Sequence, residues 1–313
     1  MSNLFEANAP RVLNLPAGSR FLSLLAQGLI ESLFSSDAPE ELANAIIYVP
    51  NRRSARALAY ALFKANGEKT LLLPDIRALG DLESSESPPS AELRLAPLPP
   101  ILPAGQRLGG LARLVLAYFS NRGTEIPAAA ALSAARELAS LLDQAALSGD
   151  VSWDKLGQIV DDQDLAHHWE DSAKFLEIIS AAWPNQLEQA MAMDPFTRRL
   201  AAAEALARHW CQSPPKAPVI IAGSTGATPA SRVLMQAALQ APRGLIVLPG
   251  LDPHISPTRE REIRQTPSHP QFTLLRALDT LGLKARDSAV WPGLKMTKLG
   301  EARGRLIHEA LAP

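Results

Sequence analysis

Three short segments carry residue types and spacings suited to holding phosphate. The first is Leu15-Pro-Ala-Gly-Ser-Arg-Phe21, which follows an apolar run and precedes an amphipathic stretch. A working phosphate loop at such a place needs G-x-x-x-x-G-K-[ST]. Its glycines let backbone N–H groups curl around the phosphates, and its lysine reaches the β and γ oxygens. This segment has one glycine, Gly18, then Ser19 and Arg20, and no lysine. The planar fork of Arg20 does not replace a point-charge lysine. The expectation is a degenerate loop that holds no nucleotide and is kept as a structural turn.

The second segment is Gly223-Ser-Thr-Gly-Ala-Thr228, again between an apolar run and a helical pattern. Ser224, Thr225 and Thr228 offer hydroxyls that could join backbone amides around an anion. The same residues also suit a tight turn, with Thr228 as N-cap and Pro229 at the first helical position. No lysine or acidic metal ligand accompanies them, which favours the turn. The third segment is Asn51-Arg52-Arg53-Ser-Ala-Arg56, at the end of an apolar run. Ligands bind at the carboxyl edge of open α/β sheets, and Arg52, Arg53 and Arg56 there are suited to DNA phosphates. The plain alternative is a solvated helix start. Ser224, Thr225 and Thr228 form a second DNA-facing candidate at the same edge.

Other candidates are weaker. His167 and His168 are adjacent, so a helix points them to different faces and they do not share a metal. Asp161, Asp162 and Asp164 read as a helix-starting acidic cluster. Neither H-E-x-x-H nor G-x-S-x-G occurs, and no acidic pair follows the apolar runs 219–222 or 245–248, leaving Asp252 as the one carboxylate near them. The single cysteine, Cys211, lies beside Trp210 in a helical pattern and reads as a small core residue. Trp169, Phe175 and Trp183 read as packing aromatics rather than a stacking platform for bases. No catalytic residue, metal site or bound cofactor is expected in this chain.

The elements that must position these residues alternate. Strand-like runs at 11–15, 45–49 and 70–73 are separated by helical patterns at 21–33 and 52–64. They predict βαβ units and a parallel sheet. Residues 84–104 are Pro-rich and read as a linker. From 105 to 213 the pattern is helical throughout, with helices expected at 106–121, 128–148, 152–160, 165–191 (broken near Pro184) and 195–212. Strand signals resume at 218–222 and 244–248, after an interruption of about 140 residues, far beyond an ordinary loop. The chain therefore reads as one α/β domain, 1–83 and 214–313, with an inserted helical domain; its last part is a weakly patterned extension.

With 313 residues and 47% hydrophobic residues a sizeable core is affordable, yet only 5% are aromatic, so Ala, Leu, Ile and Val must build it. A formal net charge of -1 gives no global attraction to nucleic acid or anionic membranes. One cysteine excludes an internal disulfide framework. No apolar run has the ~18 residues of a membrane span, and 1–10 is unlike a signal peptide, so a cytoplasmic protein with no membrane partner is expected.

Several segments, in order, resemble a known family: Asn14–Ser19, Ile47–Leu58, Leu72–Asp81, His168-Trp169 with Phe175–Ile179 and Ala182–Pro184, Ala222–Pro229 and Val247–Asp252. Together they look like the N-terminal part of the AddB subunit of AddAB-type helicase–nucleases, in its alphaproteobacterial form. The resemblance implies a superfamily-1 helicase-like, P-loop NTPase-type parallel sheet with a degenerate phosphate loop (Walker A) and an all-helical insertion. It also implies DNA ends and an AddA-like helicase–nuclease subunit as partners, in double-strand break repair and recombination. Such complexes are ATP-dependent exodeoxyribonucleases, but family members are several times longer and carry a nuclease domain with a cysteine-held iron–sulfur cluster. None of that chemistry transfers to this chain, which is expected to be a segment of such a subunit or a short relative. Two readings stand beside it: a small α/β phosphate- or nucleotide-binding protein using Gly223–Gly226, and a purely structural interaction module.

Overall fold

The computed structural model describes residues 3–6, 9–35, 37–82, 98–149, 175–176 and 178–311. Contacts divide the chain into two compact units, Met1–Leu95 with Ala202–Pro313, and Ala96–Ala201.

The first unit is built on six parallel strands: β1 (Val12–Leu15), β2 (Ile46–Val49), β3 (Asp75–Ala78), β4 (Val219–Ala222), β5 (Gly244–Pro249) and β6 (Ala289–Val290). Their order in the sheet is β3-β2-β4-β5-β1-β6. From β1 the chain first moves towards β3, then returns through β4 and β5 and crosses β1 to reach β6. Right-handed crossovers in opposite directions place their helices on opposite faces, and the two core clusters show this.

On one face α1 (Phe21–Leu33), the short α2 (Glu40–Ala43) and α3 (Arg52–Ala65) cover the sheet. Leu25, Leu29, Leu58 and Leu62 pack there on Leu13, Leu15, Ile47, Val49, Ile220 and Val247. On the other face Val12, Tyr48, Ile221, Ile246 and Leu248 meet the remaining helices. These are α7 (Pro195–Gln212) through Leu206 and Trp210, α8 (Pro229–Gln240) through Leu234, α9 (Pro257–Arg264) through Ile263, and α10 (Phe272–Thr280) through Leu275. Burial on both faces explains why β4 and β5 read as unbroken apolar runs. A last helix, α11, spans Lys298–Ala310.

The second unit contains α4 (Ala104–Asn121), α5 (Ala128–Ser148), a π-helical turn at Ile178–Ala182 and α6 (Trp183–Gln189). Its core joins Leu111, Val115, Leu138 and Trp183, with Phe175 packed on Tyr118 at 5.3 Å between ring centroids. The buried Arg107 Nε donates to Asp194 Oδ1 (2.7 Å), Arg107 Nη2 to Asp143 Oδ1 (2.8 Å), and Trp183 Nε1 to Asp194 Oδ2 (2.7 Å). Burial by itself would lower the pKa of Arg107, but the two carboxylates outweigh it and hold the guanidinium above its ordinary value. The α4 and α5 ranges agree with the expectation within two residues, and α7 starts at Pro195 as the Asp194-Pro195 signal predicts. Pro184 sits at the start of α6, directly after the π turn, where its missing N–H costs little. The division between the two units falls within α7, at Ala201–Ala202.

Two expectations are corrected. The strand predicted at 70–73 does not form; Leu72 and Leu73 are exposed, and β3 begins after Pro74, with Ile46 opposite Asp75. A proline lacks the ladder donor and restricts the residue before it, so the edge strand starts beyond it. Cys211 is exposed rather than a core residue; Trp210 takes the core-facing position, and neighbouring helix positions point about 100° apart. The expected helix at 152–160, residues 165–174 and 177 of that at 165–191, most of the Pro-rich 84–104, and His167, His168, Trp169, Asp161, Asp162 and Asp164 lie outside the described residues.

Candidate functional site

Because every strand pair is parallel, the carboxyl ends of all six strands share one edge. The three sequence candidates lie along it. The turn after β1 is closed on itself: Ser19 N–H and Ser19 Oγ both donate to Pro16 O (3.2 and 2.7 Å). Gly18 has φ +87°, which only glycine adopts without strain, and a Cβ there would stand 3.2 Å from Gly300 O. The first turn of α11 therefore lies directly on this loop. Arg20 is exposed at the start of α1 and makes no side-chain cap. An anion at this turn would have to compete with Pro16 O for the Ser19 donors.

The Gly223 loop is equally spent internally. Ser224 is buried, 6% exposed, and its Oγ accepts from Gly226 N (3.2 Å). Thr228 Oγ1 accepts from Ser231 N (3.2 Å), and Ser231 Oγ is 3.2 Å from Thr228 N, a reciprocal capping box at the start of α8. Buried Arg232 donates from Nη1 to Gly226 O (3.0 Å). At Gly226 (φ +65°) an added Cβ would stand 2.4 Å from Ala277 Cβ on α10. This is a structural turn, and Ser224 and Thr228 are occupied inside it; Thr225 is half-buried.

At the end of β2, Asn51 Oδ1 accepts from Ser54 N (2.9 Å) and caps α3. Arg52 Nε donates to Asp81 Oδ2 (2.7 Å), across to the 3₁₀ turn after β3. Arg53 and Arg56 are exposed and three positions apart, so they share a helix face. Among the described residues neither makes a side-chain hydrogen bond or ion pair. Of the six DNA-facing candidates, these two present charge to solvent without an internal partner.

The edge also holds a group that the sequence reading reached only through Asp252. Asn14, 1% exposed in the middle of β1, donates from Nδ2 to Leu251 O (2.7 Å) and accepts from Leu251 N (3.1 Å). Gln271 Nε2 donates to Gly250 O (3.0 Å) and its Oε1 accepts from Asp252 N (3.1 Å). Asp252 is thereby held facing α11, where His308 Nδ1 donates to its Oδ2 (2.5 Å). Arg259 Nη1 lies 3.2 Å from His308 Nε2, and Arg259 Nη2 donates to His308 O (2.5 Å). Arg259 Nη1 is also 3.4 Å from His308 Nδ1, so the guanidinium lies against the imidazole ring as well as holding its backbone carbonyl. Asp252, Gln271, Arg259 and His308, with Pro16, Ala17, Ile263 and Ile307, line a cavity of about 360 Å³. A histidine 56 positions from its carboxylate partner leaves no local spacing signal. Among the described residues no group of three His, Cys, Asp or Glu is arranged to hold a metal ion, and no helix is long and apolar enough to cross a membrane.

No protein-family model matches this chain, and no curated protein is found similar to it.

Proposed function

We propose that this chain is a non-catalytic, helicase-like scaffold segment of a DNA-end-processing helicase–nuclease complex, contacting DNA through Arg53 and Arg56. The observation that carries the non-catalytic part is the turn Pro16–Arg20. It sits after β1, whose crossover and that of the adjacent β5 run on opposite faces, the kind of place where open α/β sheets take their ligands. Yet its Ser19 donors are bound to Pro16 O, and Gly300 lies against Gly18. The remnant of a phosphate loop (Walker A) in a P-loop NTPase-type sheet fits this better than a working nucleotide site. The resemblance to the AddB N-terminal region, and a helical unit interrupting a parallel sheet, support the family and its AddA-like partner. The Gly223–Gly226 loop gives the phosphate-binding alternative little support, since Ser224 Oγ and Thr228 Oγ1 accept from backbone amides of the loop and helix start, and Arg232 holds the Gly226 carbonyl.

Calorimetric titration with Mg-ATP is expected to show no saturable binding. A dissociation constant below about 100 µM, about -5.5 kcal/mol, would overturn the degenerate-loop reading. Copurification of the tagged chain with a helicase–nuclease subunit is expected; persistent failure to associate would favour a stand-alone module.

A further inference from the structure

The residues of α11 are distributed the wrong way round for a helix held by apolar burial. Its inward stripe is Gly300, Gly304, His308 and Leu311: only Gly300 is buried, and the others are half-buried. Leu299 and Leu306 face outward, at 61% and 66% exposure, and the apolar residues towards the cavity, Ile307 (38% exposed) and Leu311, are not fully buried. A surface helix normally turns its apolar stripe inward, and glycines bury almost no side-chain area. Beneath this helix lies the 360 Å³ cavity rather than packed core. What fastens the helix is polar and concentrated at its C-terminal end: His308 to Asp252, Arg259 to His308 O, and His269 Nε2 to Leu311 O (2.9 Å).

We propose that α11 is a releasable strap, closed over the carboxyl edge of β1 and β5 by the Asp252–His308–Arg259 clasp. Its release opens the cavity and the Gly18 turn without unfolding the sheet. Elements with little buried apolar area open locally, at a fraction of the cost of global unfolding. This inference goes beyond the DNA reading and does not depend on it.

Amide hydrogen exchange on the 313-residue chain tests it. Peptides covering 297–311 are expected to exchange faster than β4 and β5 in the wild type. They are expected to exchange at least tenfold faster again in His308→Ala, with the strands unchanged. Arg259→Gln should act in the same direction, while Leu306→Ala, on the outward face, should leave exchange as it was. Wild-type exchange of α11 as slow as that of the strands would sink the proposal, as would an unchanged rate in His308→Ala. So would an acceleration by Leu306→Ala equal to that of His308→Ala, which would show that apolar contacts hold the helix.

Discussion

Arg52, Arg53 and Arg56 are indistinguishable as sequence, but the structure separates them. Arg52 is tied to Asp81, whereas Arg53 and Arg56 project from the same face of α3. If they contact phosphates, Arg53→Ala with Arg56→Ala is expected to weaken DNA binding about tenfold and to lower the salt slope by about 2. Fluorescence anisotropy across a salt series measures both, and an unchanged slope would remove this patch from the proposed function. A second residue-scale prediction concerns Asn14. It is a polar residue in a strand buried on both faces, and its amide satisfies both backbone groups of Leu251. Asn14→Leu strands that N–H and C=O in the core, and a loss of about 3 kcal/mol in denaturant unfolding is expected. A third concerns Arg107: Asp194→Ala removes a buried partner and also orphans Trp183 Nε1. A cost of about 3–5 kcal/mol is expected, confined to the helical unit.

Elements were legible where local signals and tertiary demands agree. The pattern at 219–222 and 244–249 is that of strands buried on both faces, and the Thr228-Pro229 start of α8 is a local capping signal that the structure uses. Thr228→Ala should therefore cost about 1 kcal/mol. Gly226→Ala should cost clearly more, because the backbone is left-handed there and the new methyl runs into Ala277. If thermal melts rank these two variants the other way, the loop's contact with α10 is not rigid. Illegible elements have equally physical causes. The 70–73 run has strand composition but ends at Pro74, and pairing with β2 selects Asp75–Ala78 instead. The two-residue β6 is too short to carry a periodic pattern and exists because β1 has a free side to pair with. In α11 the helical signal is clear, but its orientation, Gly300 and Gly304 inward and Leu299 and Leu306 outward, is not deducible from periodicity.

At the scale of the whole molecule, each core cluster draws its residues from a single unit. Replacing residues 98–200 with a flexible linker is thus expected to leave the sheet unit folding cooperatively, with one unfolding transition monitored by Trp210 and Trp291. Loss of that transition would mean that the helical insertion is needed to fold the sheet. The alternation of elements, the parallel sheet, the helical interruption and the single glycine of the first turn were all determined by the sequence itself. They rest on local composition and, for the first glycine loop, on the absence of a lysine from 15–21. Tertiary structure alone decided which turn amides are occupied, which arginines stay free of internal partners, and that Asp252 meets His308 and Arg259 beneath α11. Those facts depend on strand order, which brings the turns at 16–20 and 249–252 and the helix at 298–310 to one edge. Chain separation of that size leaves no trace in the spacing of residues along the sequence.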